Sequence, residues 1–152
     1  MKSNCIYLRD VSLGDVRMDD VESENLYWKN LSFYKDMMRG KSFHFTSPVT
    51  FFVGENGCGK STLIEAIAVA MGYNAEGGSK NFNFNTRSST SMLFHEIKLA
   101  RIAYEKDGFF LRAESFYNVA TNIEDLRLNK NTYGGKSLHE QSHGESFLAL
   151  IQ

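Results

Sequence analysis

The sequence is poor in the features that mark several large classes of protein. Its 152 residues include only two cysteines, Cys5 and Cys58, and a single proline, Pro48. Two cysteines cannot by themselves form a disulfide framework or a zinc site, and they fit a reducing compartment. No apolar run approaches the roughly 20 residues that cross a bilayer, and no signal-type apolar segment follows Met1. We therefore expect a cytoplasmic protein without a membrane span.

The sequence also lacks an excess of charge of either sign. Lys and Arg number 17 and Asp and Glu number 18, which gives a net charge of −1. Without a basic excess or a basic stripe, direct binding to nucleic acid is not predicted. Hydrophobic residues make up 42% of the chain, with 12 Phe and 7 Tyr. This content suffices for one packed core and excludes a chain that is disordered throughout.

A strand, a tight loop and a helix are predicted in succession over residues 43–72. The run 49–53, Val-Thr-Phe-Phe-Val, has the β-branched and aromatic content of a buried strand. Apolar residues at helical spacing follow Lys60, and Gly72 stands where a helix ends in the left-handed conformation. The predicted apolar face of this helix consists of Leu63, Ile64, Ile67, Ala68 and Met71.

Three further segments flank this unit. Residues 5–13 favour a first strand, whereas the pattern over 26–40 is ambiguous between a peripheral helix and extended aromatic packing. For the aromatic residues of this segment, packing is favoured over a role in stacking on adenine; they are Tyr27, Trp28, Phe33 and Tyr34. Residues 73–91 are polar and longer than an ordinary connection, which is typical of a functional or mobile loop.

The rest of the chain is predicted to contain a hairpin and two short helices. Asp107-Gly108 is a strong turn signal between two antiparallel strands, 94–104 and 109–113. Apolar residues at helical spacing predict an amphipathic helix over 114–128. Residues 129–152 contain a polar loop and the beginning of a final helix.

The strongest motif lies between the predicted strand 49–53 and the helix that follows it. Gly54 to Ser61, Gly-Glu-Asn-Gly-Cys-Gly-Lys-Ser, fits the phosphate-loop pattern of P-loop proteins. Its glycines let the backbone curl and direct N–H groups at phosphate oxygens, and the helix adds the positive end of its dipole. The predicted nucleotide-binding residues are Gly54, Glu55, Asn56, Gly57, Cys58, Gly59, Lys60, Ser61 and Thr62.

Individual roles follow from the chemistry of these side chains. Lys60 supplies a mobile positive charge for the β- and γ-phosphates, and the Ser61 hydroxyl is a ligand for Mg²⁺. Thr62 is placed near the α-phosphate. Cys58 stands at a variable position of the pattern, so a small tolerated residue is favoured over a redox-sensitive thiol.

A second, weaker motif precedes the final apolar run. Ser142, His143, Gly144 and Glu145 stand at a predicted helix start, where N–H groups and the helix dipole can receive an anion. A Ser-x-x-Glu capping box accounts for the same residues without a ligand, and for this motif taken alone it is the favoured interpretation.

Together, Gly54 to Thr62 and Ser142 to Glu145 resemble the phosphate loop and the signature motif of ATP-binding-cassette (ABC) ATPases. Longer stretches between 43 and 152 resemble a bacterial family of soluble ATPases labelled AAA-family ATPase or ABC-transporter ATP-binding protein. The resemblance implies an α/β fold of the P-loop NTPase class, an ABC-type ATPase head. Its mixed sheet would contain an antiparallel hairpin, and its C-terminal half would be incomplete.

The resemblance also implies an enzyme, an ATPase, with ATP and Mg²⁺ as ligands. Two copies are expected to form an ATP-dependent head-to-tail homodimer, in which ATP on one phosphate loop is capped by the signature of the other copy. Ser142 and Gly144 would then contact the γ-phosphate in trans. His143 replaces the second glycine of the commonest signature.

Several ABC-type residues have no counterpart in this sequence. No glutamine lies between the two motifs, and Glu114 is the suggested substitute. The Asp that holds Mg²⁺, the catalytic Glu beside it (the Walker B pair) and the switch His follow the signature in the family, and we find none of them before Gln152. We therefore expect nucleotide binding with negligible turnover, and the catalytic residues are unassigned.

The chain is accordingly expected to be one partial ATPase domain over 1–152. Its predicted segments are 1–42, 43–72, 73–91, 92–128 and 129–152. Two alternatives stay open: a small P-loop kinase, and a truncated, non-catalytic nucleotide-binding module. The four histidines are too scattered to predict a metal site, and they are expected to be packed or exposed; they are His44, His95, His139 and His143.

Overall fold

The computed structural model describes residues 6–14, 26–80 and 91–112. In chain order its elements are β1 (Leu8–Leu13), a 3-10 helix (Tyr27–Asn30), α1 (Ser32–Met38), β2 (Phe43–His44), α2 (Lys60–Ala70), β3 (Gly78–Ser79), α3 (Leu93–Glu96), β4 (Ile97–Arg101) and β5 (Phe109–Phe110). The predicted helix 114–128 and the motif 142–145 lie outside the described residues. None of the described helices is long and apolar enough to span a membrane.

The strands form two small sheets, and every described pair of strands is antiparallel. One sheet has the order β2-β1-β4, and the other pairs β3 with β5. In the first sheet, Asp10 of β1 lies opposite His44 of β2, and Val11 lies opposite Phe43. The predicted first strand is therefore confirmed as β1, and it is the central strand of its sheet.

The core is formed where α1, α2 and α3 meet the three-stranded sheet. Its largest fully buried side chains are Trp28, Leu93 and Val11. The ambiguous segment 26–40 forms the 3-10 helix and α1, which bury Trp28 and Tyr34. For these two aromatic residues the predicted packing role is confirmed.

The predicted helix after the glycine-rich loop is confirmed as α2, and Gly72 has the expected left-handed conformation with φ of 96°. Its buried residues are Leu63, Glu65, Ala66, Ile67 and Ala68. The prediction that Ile64 belongs to the apolar face that packs on the core is wrong, since its side chain is 38% exposed. The core contacts the face centred on Leu63, Ala66 and Ile67, and the 100° rotation per residue turns Ile64 away from it.

The prediction of a buried strand over 49–53 is wrong. These residues form no regular element, and Val49, Phe51 and Val53 are 64%, 83% and 92% exposed. Only Phe52 packs inward, with its ring 6.3 Å from that of Phe43 and 6.2 Å from that of Phe45. A β-branched and aromatic composition favours a strand, but a strand also needs a hydrogen-bonded neighbour, and none of the described strands pairs with this segment.

The predicted hairpin around Asp107-Gly108 is also wrong. Residues 93–96 form α3, β4 pairs with β1, and β5 pairs with β3. The turn signal is local, whereas β4 finds its partner in a strand that is distant in sequence. The segment 73–91, predicted as a loop, contributes β3 to the second sheet.

Candidate functional site

The glycine-rich loop leads directly into the N-terminus of α2. Gly57 and Gly59 have left-handed backbones, with φ of 81° and 93°. Gly59 is the N-cap, its carbonyl accepts a hydrogen bond from the Leu63 N–H at 2.9 Å, and no side chain caps the helix. The N–H groups of the first helical turn have no acceptor within their own helix. Together with the helix dipole, they make this end of α2 suited to an anion.

The side chain of Lys60 crosses the loop. Its ammonium group donates to the carbonyl of Gly54 at 2.9 Å and to that of Glu55 at 2.7 Å. The Sγ atom of Cys58 lies 3.8 Å from the same nitrogen. These contacts hold a positive charge across the curve of the loop, where Gly54 to Gly57 are exposed. An anionic ligand can therefore reach both the charge and the loop backbone.

The segment formed by the 3-10 helix and α1 packs directly on the loop. A Cβ atom added to Gly59 would lie 2.6 Å from Leu31 Cδ1 and 2.6 Å from Phe33 Cε1. The hydroxyl of Tyr27, which is exposed, lies 3.5 Å from Thr62 Oγ1. Sequence reasoning missed these contacts because they join residues about 26 to 35 positions apart. They place this segment against Gly59 and the first turn of α2.

Comparison with known families identifies the family of this chain. The family model of the AAA domain matches residues 25–144, which is well over half of the chain. The chain belongs to the AAA domain family. Membership supports nucleotide binding and ATPase-type chemistry in general, in agreement with the phosphate-loop prediction at this level. Searches of curated proteins and of solved structures found no significant match.

In this AAA domain, the predicted nucleotide-binding residues Gly54 to Thr62 all lie in the described part of the chain, at one end of α2. Ser61 is exposed in the first turn of that helix. The predicted signature residues Ser142, His143, Gly144 and Glu145 lie outside the described residues. Within 6–14, 26–80 and 91–112, no group of three His, Cys, Asp or Glu side chains is arranged to hold a metal ion.

Two buried carboxylates, which sequence reasoning did not single out, anchor the elements around the site. On α2, Glu65 pairs with Arg112 at 2.6 Å and accepts a hydrogen bond from the Ser91 N–H at 3.3 Å. On α3, Glu96 accepts a hydrogen bond from the Tyr34 hydroxyl at 2.6 Å, and this ties α1 to α3. Burial, and then this hydrogen bond, raise the pKa of Tyr34 well above its usual value. Glu65 is a single charged residue in the apolar run 63–70, which is a signal in the sequence, whereas Glu96 stands between His95 and Lys98 and has no such signal.

Two left-handed glycines of the loop, Gly57 and Gly59, provide a matched test of the packing on it. Gly57→Ala introduces only backbone strain, since nothing lies within 4 Å of its Cβ position, whereas Gly59→Ala also overlaps Leu31 and Phe33. We expect Gly57→Ala to lower the free energy of unfolding by about 1 to 2 kcal/mol. Gly59→Ala should cost about 1 to 3 kcal/mol more, because the core side chains must move. Urea denaturation measures both, and equal losses would contradict the packing contact.

Proposed function

We propose that this chain binds ATP at the loop Gly54 to Thr62. The observation that carries the proposal is the placement of Lys60, whose ammonium group crosses a glycine loop at the uncapped N-terminus of α2. Phosphates suit this place because it combines a lysine charge, backbone N–H groups and the positive end of a helix dipole. Membership in the AAA domain family supports the same ligand class in general.

We further propose that ATP binds as its Mg²⁺ complex, with the Ser61 hydroxyl as the protein ligand of the metal. Ser61 is adjacent to Lys60 and is exposed in the first turn of α2, directly after the loop. Magnesium is usually held by one or two protein oxygens, phosphate oxygens and water. A single hydroxyl next to the phosphate-binding lysine fits that requirement, and we assign no catalytic carboxylate.

Isothermal titration of the full chain with ATP tests the proposal, with Mg²⁺ present and with Mg²⁺ removed by a chelator. We expect Ser61→Ala to weaken binding of Mg-ATP by roughly tenfold, the scale on which lost metal-site contacts act. Binding of metal-free ATP should change little. Ser47→Ala, in an exposed loop, is the control and should match the wild type. Equal losses with and without the metal would contradict the assigned role of Ser61, and absence of ATP binding at millimolar concentration would overturn the proposed function.

We also propose that the chain is an ABC-type ATPase that works as a head-to-tail homodimer. Ser142 and Gly144 of one copy would contact the γ-phosphate of the ATP that is bound by the other copy. It is supported by the sequence resemblance of the two motifs. Sedimentation velocity with ATP, Mg²⁺ and a non-hydrolysable analogue tests it: we expect a dimer with ATP and a monomer without nucleotide. A monomer under both conditions would contradict the dimer while leaving ATP binding in place.

A further inference from the structure

A second cluster of reactive side chains lies on the three-stranded sheet, formed by Asp10, Ser42 and His44. The β1–β2 register places Asp10 directly opposite His44. Ser42 precedes His44 by two residues, and residues two apart in an extended chain lie on the same face. The pairing of two strands therefore brings together a carboxylate, an imidazole and a hydroxyl that are up to 34 positions apart in sequence.

The three side chains form one continuous chain of hydrogen bonds. The hydroxyl oxygen of Ser42 lies 3.1 Å from Nε2 of His44, and Nδ1 of the same ring is bonded to Oδ1 of Asp10. The other oxygen of Asp10 accepts a hydrogen bond from Arg9 Nε at 2.6 Å. Hydrogen bonds from Arg9 and then from His44 hold the pKa of Asp10 below its usual value, so this group is a carboxylate. An ionised carboxylate on Nδ1 fixes the tautomer whose Nε2 can accept the serine proton.

The serine of this cluster opens onto a cavity. Ser42 lines a space of about 250 Å³ together with Phe33, Met37 and Phe43. The apolar side chains suit a short acyl group. Lys41 and Asp36 also line the cavity, and their side chains pair with each other at 3.1 Å. Ser42 thus joins a cavity with three apolar side chains to a hydrogen-bonded imidazole and carboxylate, the groups that a serine nucleophile needs.

We propose that Ser42, His44 and Asp10 form a nucleophilic site that cleaves activated esters with small apolar acyl groups. Ser42 Oγ attacks the ester carbonyl carbon while its proton passes to His44 Nε2. The ester C–O bond then breaks, and the departing alcohol takes that proton, which leaves an acyl-serine. Water, with His44 as the base, cleaves the acyl-serine to release the acid and restore the hydroxyl. This activity does not depend on the proposed nucleotide binding.

A fluorophosphonate probe tests the nucleophile in the full chain. Attack by Ser42 forms an Oγ–P bond and expels fluoride, so intact mass and peptide mapping should show a single adduct on Ser42. We expect Ser42→Ala to lose the adduct. His44→Gln should slow labelling roughly 100-fold, since general bases contribute a factor of that order or more. Ser32→Ala, in the same cavity, is the control and should be labelled like the wild type.

Ester hydrolysis provides a second test of the same site, which does not depend on any single variant being stable. Hydrolysis of p-nitrophenyl acetate is followed for the wild type, for Ser42→Ala and for the isosteric Asp10→Asn, with melting curves to verify that each is folded. We expect a burst of nitrophenolate in the wild type only, and slower release in both variants. Absence of an adduct on Ser42 would overturn the proposal, as would labelling at an unchanged rate in folded His44→Gln. Either result would show that the three side chains serve only to join β1 and β2.

Discussion

Replacing Lys60 with alanine is expected to weaken ATP binding by roughly 100-fold, which corresponds to about 2.7 kcal/mol. A hydrogen bond to a charged group contributes about 1.5 to 3 kcal/mol, and Lys60 brings the one side-chain cation that the structure holds across the described loop. The loop N–H groups and the dipole of α2 remain in the variant. They should retain weak binding of phosphate.

The stability of the ligand-free protein should change little in Lys60→Ala. The two carbonyls that accept from Lys60 belong to Gly54 and Glu55, which are exposed, so water can replace the lysine as their donor. We expect a loss of no more than about 0.5 kcal/mol, as for other exposed sites. A loss of ATP binding can therefore be attributed to the site and not to unfolding.

The stabilisation that ATP gives to the folded protein shows whether Lys60 is part of the binding site. At a ligand concentration of 100 times Kd, binding stabilises the folded wild type by about 2.7 kcal/mol, and after a 100-fold loss of affinity the same concentration gives about 0.4 kcal/mol. Denaturation with and without Mg-ATP measures this difference. Lys35→Ala, an exposed lysine on α1, is the matched control and should behave like the wild type. Equal stabilisation of Lys60→Ala and wild type would contradict the proposed site.

The part of the site that could be predicted from sequence is the part that is local. The turn from Gly57 through Gly59 into α2 depends on residues that are adjacent in the chain, and glycine is the residue that tolerates φ near 80° to 90°. The left-handed Gly72, two residues after the end of α2, has the same origin. Each of these features follows from the backbone preferences of a few neighbouring residues.

The remaining features of the fold and of the sites depend on contacts with residues distant in sequence, which no local pattern identifies. Residues 49–53 have the composition of a buried strand, but whether Phe51 is buried depends on a neighbour distant in sequence. The Asp107-Gly108 signal predicts a hairpin, yet β4 pairs with β1, and side chains of these two strands meet in the core. The cluster of Asp10, Ser42 and His44 has no sequence signature either, since it requires the register between β1 and β2.

Replacing Arg112 with alanine is expected to lower the free energy of unfolding by about 3 kcal/mol. Its guanidinium pairs with Glu65 at 2.6 Å, and the two side chains are only 23% and 10% exposed. The same nitrogen donates to the carbonyl of Ala75 at 3.2 Å. Removing one member of a buried pair leaves the other charge without compensation, and such changes cost about 3 to 5 kcal/mol. The partial exposure of Arg112 places the expected loss at the lower end of that range.

The destabilisation should extend to the proposed nucleotide site, because Glu65 is part of α2 and also accepts a hydrogen bond from the N–H of Ser91. Urea denaturation gives the size of the effect, and Arg39→Ala is the matched control. Arg39 pairs with Asp36 on the surface at 3.6 Å, and exposed pairs contribute less than about 1 kcal/mol. The double variant Glu65→Gln with Arg112→Met removes both charges and should recover much of the loss. If Arg112→Ala costs no more than Arg39→Ala, the pair with Glu65 does not hold Arg112 and its neighbours against α2.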